Sequence, residues 1–292
     1  MVNFNHSTQK VVAGIAAILL SGVITVVLFG SLFHYLWVTW GLDPFYKHGF
    51  WIALLSILLY GKFLGSLRLA ALRASTLFPL DRSNIRAAIT AFLTFVIFFV
   101  MGIQTRVPWF GGVALFSWFL ALHFLFFELK LWKKFSFPLG YFLLAVPLPY
   151  LSEFSGLLQI EIARISQHVF SFFNFPLTQE GILLSFPKAS FEIAADCTGI
   201  KSWLVLLSLS IFFLYFLKLS VWAKMAAAFL IIPIAFISNL LRVFVLLLFG
   251  FYQGQDAAMR YWHDFSGVAF YAIACVFVLF LLLFMRRYGS SK

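Results

Sequence analysis

The chain has 292 residues, of which 63% are hydrophobic, 11% are charged and 40 are phenylalanine. That is far below the roughly 25% charged content of a soluble domain, so the chain reads as an integral membrane protein. Its formal net charge of +11 comes from basic residues scattered between apolar runs, a pattern that orients a membrane protein and excludes a nucleic-acid surface as the main reading.

Spans of about 20 residues with short connections use up the length, so residues 1–292 read as one integral membrane domain without internal repeats or flexible linkers. The first apolar run, VVAGIAAILLSGVITVVLFGSLFHYLWV, is longer than the roughly 7–15 residues of a signal-peptide core and lacks a small-x-small cleavage site. It is therefore a retained first span, 11–37. Spans two to four follow at 48–66, 87–104 and 110–128. The fifth, 136–149, contains FPLGYFLLAVPLP, which is short and interrupted by prolines, and reads as tilted, broken or partly re-entrant.

Residues 151–196 form the one substantial extramembrane loop. In LSEFSGLLQIEIARISQHVFSFFNF, the residues Leu157, Ile160, Ile165, Val169 and Phe172 recur at helical spacing and predict a helix along the outer interface. ILLSF and SFEIA, separated by PKA, predict a short β-hairpin that leads directly to Cys197. Spans six to eight fall at 198–217, 225–250 and 266–285. The fold class is an all-α polytopic membrane protein of about eight transmembrane helices, with an outward-facing interfacial helix and a short β-hairpin before span six.

Charge orients this array. Lys10, the cluster Lys62, Arg68, Arg73, Arg82 and Arg86, then Lys130, Lys133 and Lys134, then Lys218 and Lys224, and finally Arg286, Arg287 and Lys292 all fall on one side of eight spans. The positive-inside rule makes that side, and both termini, cytoplasmic. The 151–196 loop, with Glu153, Glu161, Glu180, Glu192 and Asp196, then faces outward.

Within this frame three polar segments converge on the outer third of the membrane. AADCTGIKSW places Cys197 at the entrance to span six, SNLLRVFVLLLFG carries Asn239 and Arg242 in span seven, and YWHDFSG places His263 at the start of span eight. At 1.5 Å per residue, Arg242 lies roughly 12 Å below the outward end of its span. A lipid-facing arginine is expensive, so Arg242 belongs beside a polar cavity, an anionic partner or the interface. Asn239, three residues earlier on the same face, either orients the guanidinium or binds backbone groups. Cys197 is either a packed thiol or a nucleophile, and a nearby helix start and positive charge favour the thiolate. Asp196 either caps the helix start or points away. Gly199 is either an oxyanion donor or a packing residue. His263 suits proton transfer in both directions, Asp264 can orient its ring, and both also admit a merely interfacial role. Trp203, Trp222 and Trp262 read as membrane-belt anchors. Cys275 is a buried hydrophobe. His34, His48, His123 and His168 form no metal-spaced cluster, so neither metal nor cofactor is expected.

AADCTGIKSW, NLLRVFVL and HDFSG, in that order, together with AVPLPYLSEFSGLLQIEIA and GILLSFPKASFEIAADC upstream, resemble the exosortase/archaeosortase family of polytopic membrane cysteine transpeptidases and proteases over about residues 50–285. The resemblance implies Cys197 as nucleophile, Arg242 as the family's arginine and His263 as its histidine, the histidine being more like the bacterial branch. Thr198 stands where many relatives have serine. It further implies a site near the outer face of a bacterial inner membrane. The implied substrates are exported proteins ending in a Pro-Glu-Pro-like tripeptide, a hydrophobic helix and a basic tail, with transfer to a lipid or amine acceptor, or to water. Membrane lipids are the other expected partner. A transporter whose Arg242 recognises an anion, a transferase partner in envelope-polymer assembly and a structural scaffold are the competing classes.

Overall fold

A computed structural model of the chain describes residues 4–66, 81–127 and 129–288. Residues 67–80, Glu128 and 289–292, which include Arg68, Arg73 and Lys292, lie outside the described residues, as do the side chains of 4–15, 66 and 288 and those of Lys130, Asp196, His263 and Asp264. Helix dominates, as it must where lipid offers the backbone no hydrogen-bond partner. Among the described residues, five helices are long and apolar enough to cross a membrane by length and composition, spanning Ala16–Leu42, Arg82–Thr105, Pro108–Phe126, Val221–Gln253 and Phe265–Arg287, and Gly49–Gly65 and Ile200–Phe216 are shorter apolar helices. The polytopic, mainly helical class holds. The fifth predicted span is not among these seven: it forms the helix Trp132–Phe142 with a 3₁₀ turn at each end, Leu129–Leu131 and Leu143–Ala145, and Pro138 lies inside the helix. The eleven α-helical residues by themselves reach about 16 Å.

The chain divides into two compact units, Met1–Pro149 and Tyr150–Lys292. In the first, α1 (Phe4–Leu42), α2 (Gly49–Ser66), α3 (Arg82–Thr105), α4 (Pro108–Phe126) and α5 (Trp132–Phe142) surround a core of aromatic rings. Phe29, Phe95 and Trp118 meet there, with Phe95 and Trp118 ring centroids 5.2 Å apart. Several polar groups inside the unit are paired, whereas buried His123 packs among aromatic rings with neither ring nitrogen hydrogen-bonded among the described residues. Trp118 Nε1 donates to Thr25 Oγ1 at 2.7 Å, and Asn84 Nδ2 donates to the carbonyls of Phe124 and Phe127 at 3.1 and 2.8 Å, tying the start of α3 to the end of α4.

The second unit holds α6 (Leu151–Phe172), three strands, α7 (Ile200–Phe216), α8 (Val221–Gln253) and α9 (His263–Tyr288). The predicted loop helix is α6, and its buried face carries Ser155, Ile162, Ala163, Ser166 and Phe170. Small residues let it approach its neighbours closely, and Ser166 satisfies its hydroxyl on Ile162 O at 2.7 Å. Leu157 and Phe172, on the predicted apolar stripe, are 64% and 80% exposed, the orientation of a helix that offers lipid a separate face.

The predicted hairpin is present as β2 (Leu183–Phe186) and β3 (Ala189–Glu192), with a third antiparallel strand, β1 (Thr178–Glu180), that the sequence did not signal. The order is β1-β2-β3. Phe170, Leu184, Phe186, Phe191, Val243 and Leu247 share one core, so α6 and α8 bury the apolar side of a sheet too small to stand alone. Phe191 projects onto α8 at Gly250, where an added Cβ would overlap its ring. Gly250→Ala should therefore cost about 1–3 kcal/mol by overpacking, read as a lowered thermal midpoint in detergent, with partial recovery in the Gly250→Ala/Phe191→Leu double variant. An unchanged midpoint would mean the hairpin does not dock there.

Candidate active site

Cys197 lies in the turn Ala195–Thr198, a single 3₁₀ turn between β3 and α7, and is 5% exposed. Hydrogen bonds from within the turn and from two neighbouring helices hold it. Cys197 N donates to Ala194 O at 2.8 Å, and Thr198 Oγ1 donates to Ala195 O at 2.8 Å. From α6, Gln159 Nε2 donates to Ile193 O at 2.8 Å, just ahead of the turn. From α8, Asn239 Nδ2 donates to Cys197 O at 2.6 Å. Asn239 thus takes the second of its two predicted roles, binding backbone, and does so three residues from Arg242 on the same helix.

Gly199 ends the turn with φ +79°, in the left-handed region, and is the N-cap of α7, which has no side-chain cap bond. The side chain of Asp196, the predicted cap, lies outside the described residues. Glycine is required at 199 twice over: its φ disfavours any side chain, and a Cβ there would come within 2.8 Å of Asn239 Cβ and 2.9 Å of Cγ. The first helical bond, Trp203 N to Gly199 O at 2.8 Å, follows at once. Cys197 consequently sits directly ahead of the amide-rich, partially positive end of a 17-residue helix.

Arg242 is half-buried, and its guanidinium lies against Gly267 of α9: a Cβ at Gly267 would stand 3.5 Å from Cζ. His263 is the first residue of α9, one helical turn before Gly267, and the backbone entering it is anchored by Trp262, whose ring stacks on Phe249 of α8 with centroids 3.7 Å apart. Trp262 therefore acts as an internal clamp instead of the predicted belt anchor. Trp222, 79% exposed, keeps a surface position. The side chains of His263 and Asp264 lie outside the described residues, so the geometry joins Cys197, Gly199, Asn239 and Arg242 through contacts, and His263 by its backbone alone.

Sequence reasoning missed the groups that lock α8 to α9. Ser238 Oγ donates to Phe270 O at 2.7 Å. Ser202, Ser238, Asn239, Arg242, Gly267 and Tyr271 line a cavity of about 20 Å³, room for one water. The available signal was the pair of small polar residues flanking the motifs, Ser238 before Asn239 and Ser266-Gly267 after His263, in otherwise apolar helices.

A family model described as transmembrane exosortase matches residues 37–280. No curated protein and no solved structure matches the chain.

Asn239→Asp keeps the side-chain shape but turns a carboxylate oxygen toward Cys197 O. It should cost about 1–3 kcal/mol in thermal stability and raise the rate at which a thiol reagent modifies Cys197, because the turn loses its tie to α8. Stability and labelling both equal to the parent protein would show that this bond carries no load.

Proposed function

The chain belongs to the transmembrane exosortase family, and we propose that it is a membrane cysteine protease or transpeptidase that cuts C-terminal sorting signals from exported proteins. Family membership carries the transpeptidase or protease role in general terms. The finer reading is a signal built of a Pro-Glu-Pro-like tripeptide, a hydrophobic helix and a basic tail, cut at the outer face of a bacterial inner membrane with both termini of the enzyme cytoplasmic. The carrying observation is the pairing of Asn239 with the Cys197 carbonyl, because it brings the thiol's turn onto the helix that bears Arg242.

In this reading the Cys197 thiolate attacks the scissile carbonyl. Arg242, always charged, stabilises the oxyanion that forms, and the amides opening α7 lie on the same side as further donors. His263 delivers a proton to the leaving amine as the tetrahedral intermediate collapses to a thioester, and Asp264 orients the ring. An amine acceptor, on a lipid or other envelope carrier, then takes the acyl group with loss of its proton to His263; water in the same position gives hydrolysis. The cavity beside Arg242, about 20 Å³, supports a held guanidinium better than a passage for anions.

A secreted reporter fused to a Pro-Glu-Pro segment, an apolar helix and a basic tail tests the reading when co-expressed with the enzyme. Cys197→Ala should leave it uncut while the variant accumulates in the membrane at the parent level, and Cys275→Ala should cut normally. Arg242→Ala should slow cleavage by about 10²–10³, the cost of losing an oxyanion donor. Normal cleavage by Cys197→Ala would remove the nucleophile from this scheme.

A further inference from the structure

Strand β3 is the edge of its sheet, with β2 on one side and no strand on the other. Main-chain groups alternate sides along a strand, and two bonds fix which residues turn which way. Ile193 N donates to Ile182 O at 3.0 Å, so residues 189, 191 and 193 turn toward β2. Ser190 N donates away from the sheet, to Gln255 Oε1 at 3.3 Å, so residues 190 and 192 turn outward. Gln255 thereby closes the far end of the edge. Near the turn it is open: the outward N–H and C=O of Glu192 have no partner among the described residues, and Glu192, Ala194 and Ala195 are exposed while Phe191 and Ile193 are buried. This open length runs straight into the turn that carries Cys197.

We propose that this edge receives the extended segment of the substrate polypeptide that precedes the scissile bond, as an added strand parallel to β3. The proposal rests on Cys197 being the nucleophile. Unpaired main-chain donors and acceptors at fixed spacing select an extended peptide, since pairing with another backbone is what satisfies them. The direction follows from how this chain itself is laid out. It passes from β3 through Cys197 into the apolar helix α7. A substrate with its extended segment ahead of an apolar helix, cut level with Cys197, must run the same way. Antiparallel pairing would lay the start of that apolar helix along an exposed polar edge. The Gln255 cap limits the pairing to the two or three residues next to the cut, and register on so short an edge sets the scissile carbonyl at one position relative to the thiol. The opposite edge, β1, lies on the far side of β2 and leads to no turn that holds a candidate nucleophile.

Glu192→Pro tests this. The N–H it removes points away from β2, so the ladder within the sheet survives, as proline is tolerated on strand edges. Cleavage of the reporter should be about tenfold or more slower in Glu192→Pro than in Glu192→Ala, which has the same side-chain truncation but keeps the N–H. Equal cleavage by Glu192→Pro and Glu192→Ala, with Cys197→Ala inactive, overturns the added strand and leaves the nucleophile standing; cleavage surviving Cys197→Ala overturns the nucleophile instead. A second measurement does not depend on the proline variant folding. In a Cys197→Ala/Cys275→Ala chain carrying Glu192→Cys, single cysteines are placed at each of the four reporter residues before the cut and oxidised. Crosslinks should form at alternate positions, and moving the anchor to Ala194→Cys should move the crosslinked position two residues toward the cut. Movement away from the cut, no crosslink at any position, or a crosslink between two copies of the enzyme in place of the reporter overturns the proposal.

Discussion

The bond from Asn239 Nδ2 to Cys197 O is the constraint on which the second unit is organised. An amide in the body of a membrane-spanning helix must find a partner within the protein, and here the partner is the backbone of a turn outside that helix. Meeting that need at 2.6 Å draws the end of the 151–196 segment against α8. Gly199 follows from it, because no side chain fits between that backbone and Asn239. The chain then has to turn through a left-handed residue and start a helix at once, which sets Cys197 at the positive end of α7. One hydrogen bond and one glycine thus decide where the thiol stands and what field it feels.

The surrounding elements hold that arrangement from several directions. Phe191 seats the sheet in the notch at Gly250, Gln159 fixes the strand's exit from the side of α6, and the Phe249–Trp262 stack fixes the approach to His263. Ser238 ties α8 to α9 at Phe270, three residues along from the guanidinium's contact at Gly267. A site built this way keeps its groups in place before substrate arrives, so reorganisation costs little at the moment of reaction. The short sheet is then more than a tether. Its inner side is packed and its outer edge is open beside Cys197, so the proposed reception of a peptide would share one small element with the positioning of the thiol.

The three polar segments were legible because an apolar background makes them expensive: Arg242, Asn239, the DCTG border and the HD pair at 263–264 stand out in a largely apolar sequence. The hairpin was legible from PKA between two β-prone runs, and the broken fifth segment from its prolines. Other features depended on contacts between distant residues. Nothing in TQE signals a strand, since three mostly polar residues acquire that form only by pairing with β2. The buried side of α6 mixes Ser155, Ala163 and Ser166 with Ile162 and Phe170, so the predicted apolar stripe through Leu157 and Phe172 marked a side facing outward. Asn239 offered two roles until its partner was placed, and Trp262 read as a belt residue because its stacking on Phe249 joins residues from two helices.

The central claim is that Cys197 carries the acyl group between cleavage and transfer. The most direct measurement is mass spectrometry of the purified enzyme quenched during turnover of the reporter in detergent. The account predicts an adduct on the peptide containing Cys197, with the mass of the reporter up to its new C-terminus, lost on treatment with neutral hydroxylamine as a thioester is. Continued cleavage with Cys197 unmodified at every quench time, or with the adduct on another residue, would contradict it.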